Sequence, residues 1–102
     1  MSIYLLLYSG GDLPATDEEK EAIANAWGAW LSGIGIALVD GNPFTPNAKS
    51  LSPDGVVSDG PVGPMATGYS LIRAGSMDEA VGMAKGCPVS LSGASISIFE
   101  VA

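Results

Sequence analysis

Few side chains in this sequence can do chemistry, and the shortage narrows what chemistry is open. Histidine is absent, which removes His-based metal sites, Ser-His-Asp triads and imidazole acid–base work together. The carboxylate with the most suggestive surroundings is Asp59, in VSDGPVGPMATGYSLI from Val57 to Ile72. At the mouth of a cavity, partial burial would raise its pKa towards that of a general base. The plainer reading is a turn, since Asp before Gly bonds readily to nearby backbone amides. Trp27 and Trp30 could line a pocket for a planar ring, with Tyr8 and Tyr69 as phenolic donors. Both tryptophans also sit where a helix would bury them, so core packing competes with that role. Arg73 shares strand parity with Tyr69 and could clamp an anion, or stand at a strand end in solvent. Cys87 follows a helix C-terminus, where the dipole disfavours a thiolate. No metal site and no cofactor fingerprint is expected: SGG and SGA are turns without the spacing of a phosphate-binding loop.

The elements that must position these residues follow from periodicity. Ile3–Tyr8 is apolar on both parities and predicts a strand covered on both faces. Thr16-Asp17-Glu18-Glu19 is a capping box, opening a helix whose stripe is Ile23, Ala26, Trp27, Trp30, Leu31 and Ile34. Gly33 and Gly35 supply its stop. Ile36–Val39 is expected as a second strand, closed by Asp40-Gly41-Asn42-Pro43. Ser52-Pro53-Asp54-Gly55 predicts the turn of a small hairpin at about residues 50–58. Thr67–Ala74 is the next strand. Ser76-Met77-Asp78-Glu79 caps a second helix, with Met77, Ala80, Val81 and Ala84 buried and Gly82 marking close packing on the sheet. Gly86 and Pro88 end it, and Ala94–Val101 is the last strand.

Without the hairpin, that order is βαββαβ. The expected fold is therefore α+β and ferredoxin-like, one domain spanning 1–102. Two helices cover one sheet face, yet the first and last strands are apolar on both. The economical cover is a second copy of the sheet, so a homodimer is expected. Net charge is −7, with four basic residues scattered along the chain. No nucleic acid and no anionic membrane is expected as a partner. Hydrophobic residues make up 47% and charged residues only 15%, which fits surface hidden in an oligomer. One cysteine excludes an intrachain disulfide, and the N-terminal apolar run is too short to span a bilayer, so a cytoplasmic location is expected.

Five landmarks stand in order: YLLLY at the first strand, SDGP at Ser58–Pro61, GYSLI at Gly68–Ile72, SMDEA at Ser76–Ala80 and CP at Cys87-Pro88. In that order and spacing, the chain resembles the YCII-related domain family, in its branch named for an Asp-Gly-Pro-Phe motif. The resemblance covers about residues 2–101 and implies a dimeric α/β barrel of ferredoxin-like protomers. It also implies an active site built on a His–Asp pair in the founding branch, and lyase or dehydrochlorinase activity on chlorinated aromatic rings in some relatives. Trp27 stands where helix 1 would carry the histidine, and Val62 where the motif has Phe. The branch also occurs near extracytoplasmic-function sigma factors, which implies a regulatory setting. Without the histidine, the expected function is non-catalytic binding of a small apolar or aromatic ligand. A lyase- or hydrolase-like enzyme with Asp59 as base and Tyr69 as donor is one alternative; a protein-interaction module is another.

Overall fold

The computed structural model describes residues 1–11 and 16–102. The elements are β1 (Ser2–Ser9), α1 (Asp17–Ile34), β2 (Leu38–Pro43), β3 (Lys49–Leu51), β4 (Val57–Asp59), β5 (Ala66–Ala74), α2 (Met77–Lys85) and β6 (Ser95–Val101). Short 3-10 segments cover Gly35–Ala37 and Pro88–Ser92. The main sheet has the order β2-β5-β1-β6, with every neighbouring pair antiparallel. With β3 and β4 set apart as a separate hairpin, this is the ferredoxin-like α+β arrangement expected from the sequence.

Both helix starts form as their capping residues dictate. The Thr16 hydroxyl accepts from the Glu19 N–H at 3.1 Å, and the Ser76 hydroxyl from the Glu79 N–H at 3.1 Å. The Glu79 carboxylate reaches back past the cap to accept from the Gly75 N–H. Alternation along β1 then divides the protein. Tyr4, Leu6 and Tyr8 are buried under the helices with Ile72, Ala74, Ala80, Ala84 and Trp30. Ile3, Leu5 and Leu7 point to the other face, where Leu71 is also half-buried and Phe99 and Val101 are 50% and 45% exposed. Nothing in the protomer covers that face among the described residues.

Three local expectations give way. β2 begins at Leu38, because Gly35 (φ 52°) ends α1 and the 3-10 turn that follows consumes Gly35–Ala37, leaving Ile36 95% exposed. Asp40-Gly41-Asn42-Pro43 is strand instead of turn: it pairs with Leu71–Gly68 after an irregularity at Val39. An edge strand tolerates Pro43, which has no N–H to give to the ladder. In α2, Met77 is 40% exposed and Gly82 faces open space, so neither belongs to the packed stripe; Ala80 and Ala84 carry it, with Val81 and Met83 at its margin.

The β3–β4 hairpin projects from the sheet. Its turn closes as expected, the Gly55 N–H donating to the Ser52 carbonyl at 2.9 Å with Gly55 at φ 88°. Asp54 accepts from the Ser52 hydroxyl and the Val56 N–H, and these bonds hold its carboxyl below the usual carboxylate range. The arm helps make the protomer flat, 44 × 39 × 18 Å, with a radius of gyration of 15.0 Å. A compact chain of this length would have about 13 Å.

Gly68 on β5 is where the β2 edge is fixed. A Cβ there would lie 3.0 Å from the Asn42 carbonyl oxygen and 3.2 Å from Pro43 Cα, both backbone atoms. Gly68→Ala should therefore cost about 1–3 kcal/mol in urea denaturation. Amide exchange should accelerate in β2 while the β1–β6 ladder stays protected; equal protection of both in the variant would refute this account of the edge.

Candidate functional site

Under α1, at the end of the sheet where β2 stops and β5 begins, lies a cleft of about 500 Å³. α1 supplies Trp27 and Leu31 as its roof, and the 3-10 segment after α2 adds Val89. β2 contributes Leu38 and β1 contributes Tyr8. The floor at Gly41 and Gly68 is bare backbone. These glycines face the helices in register with Ser70 and Pro43, so side chains there would occupy the cleft. No charged side chain lines it among the described residues.

The aromatic wall is built edge-on. The Tyr8 and Trp27 rings lie 5.8 Å apart at 70°, and Trp27 and Trp30 5.6 Å apart at 86°. Trp30 is 8% exposed and donates through Nε1 to the Met83 carbonyl at 3.0 Å, an inter-helix anchor. Trp27 is half-buried and turned to the cleft. The two tryptophans thus divide the roles weighed from the sequence: Trp30 packs, and Trp27 lines.

At the inner wall, the Tyr8 hydroxyl donates to Ser70 Oγ at 2.7 Å, linking strands that are 62 residues apart in the chain. The Cys87 thiol hydrogen-bonds the same phenol. Burial pushes the Tyr8 phenol well above its ordinary value, and burial likewise raises the Cys87 thiol. Both stay protonated at neutral pH, Tyr8 as a hydrogen-bond donor and Cys87 as an unreactive thiol.

The remaining candidates lie apart. Asp59 ends β4 on the projecting hairpin, its side chain 93% exposed and paired with Lys49 Nζ at 2.6 Å; it does not line the cleft. Arg73 is exposed on the open sheet face. Tyr69 reaches the rim, but its hydroxyl donates to Asp40 Oδ2 at 2.7 Å and accepts from Asn42 Nδ2 at 3.3 Å, and its ring stacks on Phe44. Sequence reasoning missed Ser70, Gly41 and the Asp40–Tyr69 pair. Strand alternation through Gly68–Ile72 carried the signal for Ser70; Asp40 and Gly41 were hidden in a stretch composed like a turn.

Because the folded thiol and phenol sit above their ordinary values of 9.0 and 10.0, the native state holds their protons where the unfolded chain releases them. Their contribution to stability is fully present below pH 9 and is lost as pH rises through the folded values. The urea midpoint should fall steadily above about pH 9, and Cys87→Ala should flatten the first part of that fall. A midpoint independent of pH up to 10.5 would contradict the assignment.

Among the described residues, no helix is long and apolar enough to cross a membrane, and no group of three or more His, Cys, Asp or Glu is placed to hold a metal ion. No family model matches the chain, and no curated protein matches it. A solved structure does. The 5-chloro-2-hydroxyhydroquinone dehydrochlorinase of Burkholderia phenoliruptrix AC1100, in complex with 2,5-dihydroxybenzoquinone, is similar with a TM-score of 0.60 and 18% identity, over 98% of this chain and 93% of that one. At that identity the likeness concerns the fold alone, which is α+β and ferredoxin-like.

Proposed function

We propose that this chain is a small homodimeric domain of the YCII-related type that binds a small apolar or aromatic ligand in the cleft beneath α1, without catalysing a reaction. The observation that carries it is the cleft itself: about 500 Å³, walled by Trp27, Leu31 and Leu38, floored by backbone and free of lining charge among the described residues. That volume and lining suit a planar ring system. The similar dehydrochlorinase was solved with a planar quinone, which supports the class of ligand. A reduced, buried Cys87 suits a cytoplasmic setting. The enzymatic reading, with Asp59 as base and Tyr69 as donor, is less favoured, because the first is in solvent on the hairpin and the second is held by Asp40.

Dimerisation through the open sheet face rests on its apolar residues and on the flatness of the protomer. Sedimentation equilibrium should give twice the 10.3 kDa chain mass, and Leu5→Arg, which buries a charge at the centre of that face, should give the monomer. A monomeric parent protein would end the dimer reading.

For the ligand, equilibrium dialysis against naphthalene should show saturable binding, weakened at least about tenfold by Trp27→Ala, which removes the ring contact. The Asp59→Asn variant should bind unchanged. Absence of saturable binding would sink the cleft reading.

A further inference from the structure

The polarity of the cleft is confined to one spot, and its hydrogen-bond direction is set. Ser70 is only 4% exposed, yet it lines the cleft. A serine hydroxyl has one proton and two lone pairs, and a phenol has one proton. Tyr8 gives its proton to Ser70 Oγ at 2.7 Å. Among the described residues, nothing accepts the Ser70 proton. Donation into Ser70 polarises its hydroxyl and strengthens the bond it can make next.

Gly41 keeps that hydroxyl reachable. A Cβ at Gly41 would crowd Ser70 Oγ at 3.3 Å and the Tyr69 carbonyl oxygen at 3.1 Å, and the floor beside it at Gly68 is equally bare. The electrical setting is one-sided. The four basic residues are Lys20, Lys49, Arg73 and Lys85, and none lines the cleft. The Asp40 carboxylate, bonded by the Tyr69 hydroxyl, is not among the lining residues, and the chain carries −7. A carboxylate entering the cleft would lose its hydration and meet no cation in return.

We infer that Ser70, set by Tyr8, is the recognition donor of the cleft, and that the ligand is a neutral planar molecule bearing a carbonyl or similar acceptor in place of an acid. This deepens the proposed binding role and rests on it. Shape and the indole of Trp27 hold the ring, and the single donor orients it.

Three probes sharing one ring system separate these contributions: 2-ethylnaphthalene, 2-acetylnaphthalene and 2-naphthoate, measured by equilibrium dialysis. The ketone should bind most tightly and the carboxylate least. Ser70→Ala should weaken the ketone about fivefold to tenfold, the worth of one neutral hydrogen bond, and leave the hydrocarbon unchanged. Tyr8→Phe, which keeps the serine but removes its orienting donor, should lower the ketone-to-hydrocarbon ratio in part, and keeps the question open to test if Ser70→Ala does not fold. An unchanged ratio in either folded variant, or a carboxylate that outbinds the ketone, overturns the inference while leaving the cleft as a binding site. Failure of all three probes to bind the parent protein overturns both.

Discussion

The two helices rest on the sheet with different faces, and the difference in side-chain bulk sets the rest of the structure. α2 presents Ala80 and Ala84, both fully or nearly buried, and so lies close over β1, β5 and β6. α1 presents two indoles. One of them, Trp30, is fastened to the Met83 carbonyl of α2, so α1 takes its height from its neighbour helix and not from the strands. A helix held at that height cannot also close on β2, whose inward positions Gly41 and Pro43 have little to offer it. The space left over is the cleft. Its existence is thus a packing consequence of residue size, with Trp27 hanging into it because the same helix turn that seats Trp30 leaves its neighbour short of the sheet.

The same economy explains why the floor is glycine. β5 passes between β1 and β2, and at Gly68 and Gly41 the adjacent backbones approach too closely for any Cβ to fit comfortably. Glycine in a strand lowers its stability, and here it permits both the tight edge pairing and an unobstructed surface. Tyr8 and Ser70 fill the inner end with a short polar link in which each oxygen has a hydrogen-bond partner. Such a link holds β1 and β5 together on the helix side and avoids the penalty of a bare buried hydroxyl.

Much of this architecture was legible in the chain. Thr16 and Ser76 announced both helices because capping is a local matter, decided within four residues. The doubled apolar parity of β1 matches one face packed under the helices and an apolar face that the protomer leaves open. What escaped notice was decided at long range. Asp40-Gly41-Asn42-Pro43 has the composition of a turn, and only pairing with β5 makes it a strand. The partnership of Tyr8 with Ser70 crosses 62 positions and leaves no pattern in either neighbourhood. Asp59 looked chemical because a motif surrounded it, yet its hairpin carries it into solvent beside Lys49. The tryptophans were assigned to one stripe, correctly, but spacing alone could not say which indole would be sealed and which left half-open.

The position of β1 in the sheet has a consequence for the birth of the protein. Its two neighbours, β5 and β6, come from residues 66–74 and 95–101. The most apolar strand is thus made first and paired last. At synthesis rates of about 5–20 residues per second, the wait is on the order of several seconds. The hairpin of β3 and β4 closes over a few residues and can form within microseconds of emerging, but it contributes nothing to that strand. Until the C-terminal third of the chain appears, Ile3–Tyr8 is a sticky segment without a sheet, and holding it apart from other nascent chains is a task that falls to the cell.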